Sequence, residues 1–231
     1  MAVRKGKKSS DEIIDVVEVK GSNVHTEQGF FEKNQNILSY IILGIGVLAA
    51  LYYAYKYLYV APREKEAVEA IYKAEQQFAK DSFALALENP GGGYDGFLAI
   101  IDNFGGTKTA NLAKYYAGIS YLNLGSFQEA VDYLNDYSAH DAVTKITKDG
   151  ALGDAYSGLG DMDKAESYYV KAAGHGENEF LTPYYKGKLA TFFQSQGKMD
   201  DAIKLWDEIA ANYPETNEGK DAEKYLQRYK N

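Results

Sequence analysis

Gly125-Ser-Phe-Gln-Glu-Ala130, Gly160-Asp-Met-Asp-Lys-Ala165 and Gly197-Lys-Met-Asp-Asp-Ala202 share the pattern G-x-x-x-x-A. The glycines fall 35 and 37 residues apart. Seven residues before each stand Gly118, Gly153 and Ala190, small enough to let two helices close on each other. Four before each stand Tyr121, Tyr156 and Phe193, and four after each alanine stand Leu134, Tyr169 and Trp206. A glycine permits the backbone angles of a tight turn, and a period of this length marks stacked helix–turn–helix units. The aromatic and large apolar positions are expected to fill the gap between neighbouring units. Pro214, twelve residues after Ala202, ends the last second helix.

This layout is that of a tetratricopeptide repeat, whose unit is a pair of antiparallel helices. Three clear repeats are predicted over residues 107–216, with a capping helix over 217–231 that uses Lys224, Arg228 and Tyr229 to shield the last apolar face. A degenerate repeat and linker helix fill 61–106, with Gly91 and Gly96 one period before Gly125 and Ala130. Pro62 suits the first turn of a helix running from Arg63 to about Glu88, where Asn89-Pro90-Gly91-Gly92-Gly93 ends it. A shorter helix is expected from Tyr94 to Phe104. Three or more stacked units suffice for a stable α-solenoid, so the fold class is all-α.

Upstream, Ile37 to Val60 reads ILSYIILGIGVLAALYYAYKYLYV, and no charged residue occurs between Ile37 and Tyr55. These nineteen residues approach the ~20 that a helix needs to cross ~30 Å of hydrocarbon. A helix satisfies its own backbone hydrogen bonds where water is absent. Lys56 can snorkel, and Tyr52, Tyr53, Tyr55, Tyr57 and Tyr59 suit the membrane–water boundary. The run is too long for a signal-peptide core, and Tyr59-Val60-Ala61 offers no small residue where cleavage needs one. Residues 37–60 are therefore expected to form a single retained transmembrane helix. Gly46, Ala50 and Ala54 form a small-residue row that either admits another membrane helix or reflects composition alone.

Residues 1–36 carry six basic and six acidic residues and too little apolar surface to offset ordering, so a disordered arm is expected. Ile13, Val17 and Val19 could add a strand to a partner, against the plainer reading of a solvated tail. For orientation, the residues nearest the span are Lys20 and Lys33 on one side and Arg63, Lys65 and Lys73 on the other, which leans against an inside N-terminus. Arg4, Lys5, Lys7 and Lys8 lean the other way.

The net charge of −8 argues against nucleic acid, which demands a basic surface. The absence of cysteine excludes disulfides, thiolate zinc sites, thiol nucleophiles and a lipidated N-terminal cysteine. His25, His140 and His175 lack metal-ligand spacing, and Gly105-Gly106-Thr107-Lys108-Thr109 lacks the order of a phosphate loop. No enzyme, cofactor, metal or small-molecule substrate is predicted.

What remains is a protein-binding face. The repeat register places Tyr115, Ile119, Leu122, Tyr184, Thr191 and Gln194 along a groove of first helices, with core packing the alternative for Ile119 and Leu122. The Lys/Asn/Arg clamp that some tetratricopeptide proteins use for a C-terminal carboxylate is missing, since Tyr115 and Ile119 occupy its first positions.

Phe30-Phe31-Glu32-Lys33-Asn34, whose adjacent rings suit the interface, joins the span and the repeats in a layout that resembles the YfgM family, ancillary subunits of the SecYEG export channel. The resemblance implies a cytoplasmic arm, one span of the bacterial inner membrane and a periplasmic repeat domain. It also implies two partners, SecYEG and a PpiD-like membrane-anchored chaperone that this protein would tether near emerging clients. The same fold also fits a scaffold for envelope assembly or cell division, or an N-anchored import receptor with cytosolic repeats.

Overall fold

The computed structural model describes residues 25–176 and 178–230, and the chain divides into two compact units, 1–54 and 55–231. Among the described residues the fold is all-α. The expectations for residues 1–24, including strand addition by Ile13, Val17 and Val19, lie outside them.

The described part of the first unit is one helix, α1 (His25–Ala54). Its large apolar side chains from Ile37 to Leu51 point outward, with Leu48 68% exposed. The helix is long and apolar enough to cross a membrane. It starts at His25, upstream of the span and within the arm assigned to residues 1–36. The reason is cooperative. Residues 25–36 contain no proline, and adding them to an existing helix costs no new nucleus.

The second unit opens with a π-helical stretch, Tyr55–Val60, followed by α2 (Ala61–Phe78), α3 (Phe83–Leu87) and α4 (Phe97–Asn103). Three hairpins follow. They are α5 (Lys108–Asn123) with α6 (Phe127–Asp136), α7 (Ala142–Gly158) with α8 (Met162–Gly174), and α9 (Leu181–Ser195) with α10 (Met199–Asn212). Helix α11 (Asn217–Lys230) packs on the last pair. Side-chain caps begin four of these helices, from Thr107, Asp141, Asp161 and Thr216. Each accepts a backbone N–H that the first turn leaves unpaired.

The three hairpin turns have one geometry. Ser126, Asp161 and Lys198 donate their N–H groups to the carbonyls of Tyr121, Tyr156 and Phe193 at 2.9, 3.0 and 2.9 Å. The intervening Gly125, Gly160 and Gly197 have φ of 77°, 79° and 75°. This is the Schellman closure, in which a left-handed residue lets the last helical carbonyls be satisfied.

Each hairpin closes on one contact between a small and a large residue. A Cβ on Gly118 would lie 2.6 Å from Leu134, and one on Gly153 would lie 2.7 Å from the Tyr169 ring. In the third pair the fully buried Ala190 shares a cluster with Trp206. Tyr121 and Tyr156 bridge neighbouring units as expected, each packing against the core clusters on both sides of it. They also stack on Tyr133 and Tyr168 of their own hairpins, at 5.4 and 5.3 Å. Further contact between units comes from Tyr169 against Phe192, Trp206 against Tyr225, and Phe127 seated over Gly158.

The first hairpin corrects the expected register. The helix predicted from Arg63 to Glu88 is broken at residues 79–82, where Ser82 N–H bonds the Gln77 carbonyl at 2.9 Å and Asp81 has φ 55°. That is the same closure with aspartate in glycine's place. Asp81-Ser-Phe-Ala-Leu-Ala86 thus corresponds to Gly125-Ser-Phe-Gln-Glu-Ala130, and Ala74 corresponds to Gly118. Ala74 and Ala86 are both fully buried.

Gly91 and Gly96 have no part in this turn. Gly96 lies against the end of α3, where a Cβ would come within 2.3 Å of the Leu87 carbonyl oxygen. Its extended backbone delays α4 to Phe97, three residues after the expected start. The second helix is cut to five residues because Asn89-Pro90 follows, and α4 is inserted before the next hairpin.

The cap also differs in its chemistry. Ala222, Leu226 and Tyr225 cover α10, with Tyr229 beside them, while Lys224 pairs with Asp221 at the surface, 2.7 Å away.

Asp81→Gly is expected to stabilise the protein by up to about 1 kcal/mol, since a non-glycine residue is strained in the left-handed region. Thermal unfolding of the two proteins measures it, with an expected rise of roughly 2–4 °C.

Candidate partner-binding surface

Helices α2, α5, α7, α9 and α11 are the first members of successive pairs and lie side by side, each against the next. Their common face is the candidate surface for a partner. The residue six positions before each small closure residue sits on it. These residues are Val68, Leu112, Thr147 and Tyr184. Val68, Leu112 and Tyr184 are exposed, as is Tyr72 one turn beyond Val68. Neighbouring exposed apolar side chains of this kind suit protein contact.

Of the six predicted groove residues, the structure divides the set. Tyr184 and Thr191 are exposed on α9, Gln194 is half-buried, and the Thr191 hydroxyl is spent on the Gly187 carbonyl at 2.9 Å. Tyr184 and Thr191 line a 280 Å³ cleft with Lys188, Trp206, Asp221 and Tyr225. Ile119 and Leu122 instead pack on the cluster of Ala130, Leu134, Leu152 and Ala155 between the first two hairpins. Tyr115 packs there too. Its ring lies 5.2 Å from that of Tyr137, and burial raises its phenol above the ordinary tyrosine range despite a hydrogen bond with Thr147.

The middle of the face is closed by side chains that sequence spacing did not single out. Gly150 of α7 leaves a notch, and Tyr185 of α9 fills it so closely that a Cβ would come within 1.9 Å of the ring. Lys188 Nζ lies 2.6 Å from both oxygens of Asp154, joining α9 to α7. Asp154 also accepts the Tyr169 hydroxyl at 2.7 Å. Burial first, and this carboxylate second, push the Tyr169 phenol far up, so it stays a donor at neutral pH. Burial does the same for Tyr185.

An ion pair as exposed as Asp154–Lys188 contributes at most about 1 kcal/mol. Its larger effect is on the character of the face. One cation and one anion of α9 and α7 are thereby matched at the middle of the face. Val68, Tyr72 and Leu112 are exposed apolar side chains, and Tyr184 lines a cleft with Tyr225, Asp221 and Glu218. Val68 and Leu112 stand six residues before Ala74 and Gly118, and for Val68 that register is hidden in the sequence because Asp81 occupies the turn in place of glycine. Of the histidines, His175 pairs with Asp149 at 2.5 Å and ties the end of α8 back to α7.

Comparison with known proteins agrees with this geometry. Family models described as tetratricopeptide repeat match residues 112–139, 150–179 and 188–216, which fall on the three hairpins. No curated protein matches the chain. The repeat region is therefore a tetratricopeptide array, a class of scaffold for protein–protein interaction, and it follows one helix apolar enough to serve as an anchor.

Gly150→Ala forces the Tyr185 ring out of its notch. The expected cost is about 1–3 kcal/mol, as for other overpacked cores. Denaturant unfolding checks it, and a midpoint equal to that of the parent protein would contradict the close approach of α7 and α9.

Proposed function

We propose that this protein is a membrane-anchored adaptor of the Sec export channel. In this reading residues 37–60 cross the inner membrane once, with the N-terminus in the cytoplasm. Residues 61–106 link the span to the array, the repeats over 107–216 and the cap over 217–231 stand in the periplasm, and the first-helix face receives the partner. The partners are SecYEG and a PpiD-like chaperone. The observation that carries the reading is the union in one chain of an apolar helix and a tetratricopeptide scaffold. The resemblance of Phe30–Asn34, the span and the repeats to the YfgM family supplies the identity of the partners.

The mechanism is tethering. Two proteins confined to one membrane meet at a raised effective concentration without any new contact. The channel side of the tether would be the row of Gly46, Ala50 and Ala54. A Cβ on Gly46 would meet nothing within 4 Å, so this face of α1 is free to admit another helix.

The opposite orientation has one observation in its favour, the local excess of Arg63, Lys65 and Lys73 over Lys20 and Lys33. It describes an import receptor with cytosolic repeats. Protease added to spheroplasts separates the two, since periplasmic repeats are cleaved and cytosolic ones survive.

Cross-linked co-purification from native membranes is expected to recover both the channel and the chaperone. Ala50→Phe is expected to lower channel recovery several-fold with membrane insertion unchanged. Recovery of neither partner would overturn the assignment to the export channel, and undiminished recovery with Ala50→Phe would leave the small-residue row without a role.

A further inference from the structure

The unit 55–231 begins with the tyrosines that the sequence assigns to the membrane–water boundary. The rings of Tyr55 and Tyr59 stack at 5.4 Å, and the Arg63 guanidinium lies 4.8 Å from the centre of the Tyr59 ring. Arg63 also donates to the Tyr59 hydroxyl and to the carbonyl of Asn103, the last residue of α4. The next residue, Glu64, takes the other side of the same connection. Its carboxylate accepts the N–H of Lys108 at 2.6 Å, the N–H of Thr109 at 3.2 Å and the Thr109 hydroxyl at 2.8 Å.

Two consecutive residues of opposite charge therefore hold two helix ends. The cation sits at the carbonyl end of α4 and the anion at the amide end of α5, each at the terminus whose dipole it complements. Close by, a Cβ on Gly106 would lie 3.6 Å from the Tyr55 hydroxyl. The connection between α4 and α5 is thus bound to the first turns of the unit, with no free linker between them.

The nineteen residues from Ile37 to Tyr55 measure about 28 Å as a helix, the depth of the hydrocarbon layer, so Tyr55 marks its edge. Headgroups extend roughly 5–8 Å further on each side. Gly106 lies within reach of the Tyr55 hydroxyl and so close to that edge. We propose that the connection between α4 and α5, residues 104–108, is a lipid-contact site that seats the repeat array on the headgroups of the bilayer. The proposal rests on the reading of α1 as a span.

Exposed Gly105 and Gly106 put backbone against the surface with no side chain to hold it off. The charge at this edge is mixed, with Lys56, Lys65 and Lys108 exposed beside Glu66 and Asp102. The covalent tether and the Arg63–Glu64 latch, rather than net attraction, hold the site in place, so the contact is expected in zwitterionic lipid.

The absence of cysteine makes the test direct. A Cβ at Gly105 meets only the Ile101 carbonyl oxygen at 3.7 Å, an ordinary contact. Gly105→Cys in the full chain would be labelled with an environment-sensitive fluorophore and placed in phosphatidylcholine vesicles with and without headgroup-spin-labelled lipid. Asp207→Cys on exposed α10 serves as the comparison. The expected result is a several-fold loss of emission at position 105 on spin-labelled lipid and little loss at 207.

Equal emission at 105 on both lipids, or equal quenching at the two positions, overturns the assignment. A chain released from vesicles by carbonate overturns the span reading itself. A chain that resists carbonate yet shows no quenching at 105 overturns the seating alone. Arg63→Gln with Glu64→Gln removes both charges of the latch and is expected to bring quenching at 105 down toward that at 207. Unchanged quenching would overturn the latch as its cause.

Discussion

The repeat array depends on a single kind of contact, in which the first helix of a pair gives up a side chain so that the second can fill the space. Sixteen residues separate Gly118 from Leu134, Gly153 from Tyr169 and Ala190 from Trp206, and each pair meets. The constraint acts from both sides. A larger group on the first helix would strike the partner, and a smaller one on the second would leave a void whose lining loses its contacts. The turn between them must close at a fixed length for the two positions to face each other, which is why all three turns share one hydrogen-bond pattern. Pairs built this way stack because residues such as Phe127 and Tyr169 reach past their own hairpin.

The repeats were legible because their determinants are local and periodic. Glycine at a left-handed position, alanine five residues on and a bulky residue four further leave a pattern that needs no tertiary information. The same logic explains what was misread. Asp81 satisfies the turn nearly as well as glycine does, since a short polar side chain tolerates the left-handed region. The insertion of α4 stretches the interval between Ala86 and Ala130 to forty-four residues. Gly91 and Gly96 stood at the right distance by chance, and Gly96 is sterically required for a different reason.

The face available to partners was less legible. Spacing places a residue on a side of its helix, but it does not say whether the neighbouring helix covers that side. Tyr115, Ile119 and Leu122 are covered because they pack on a cluster to which α7 contributes Ala151, Leu152 and Ala155. The Arg63–Glu64 latch joins residues forty or more positions apart, and no periodicity encodes it. It is a contact of chemistry at helix ends, visible only once the ends are brought together.

Trp206 is the chain's single tryptophan, buried to 3% and stacked 4.6 Å from Tyr225 of the terminal helix. Its emission therefore records the state of the last hairpin and its lid and nothing upstream. In an array whose members are coupled mainly to their nearest neighbours, one end can loosen while the other holds. Indole fluorescence would then register fraying at the carboxyl end before backbone dichroism registers the loss of helix as a whole.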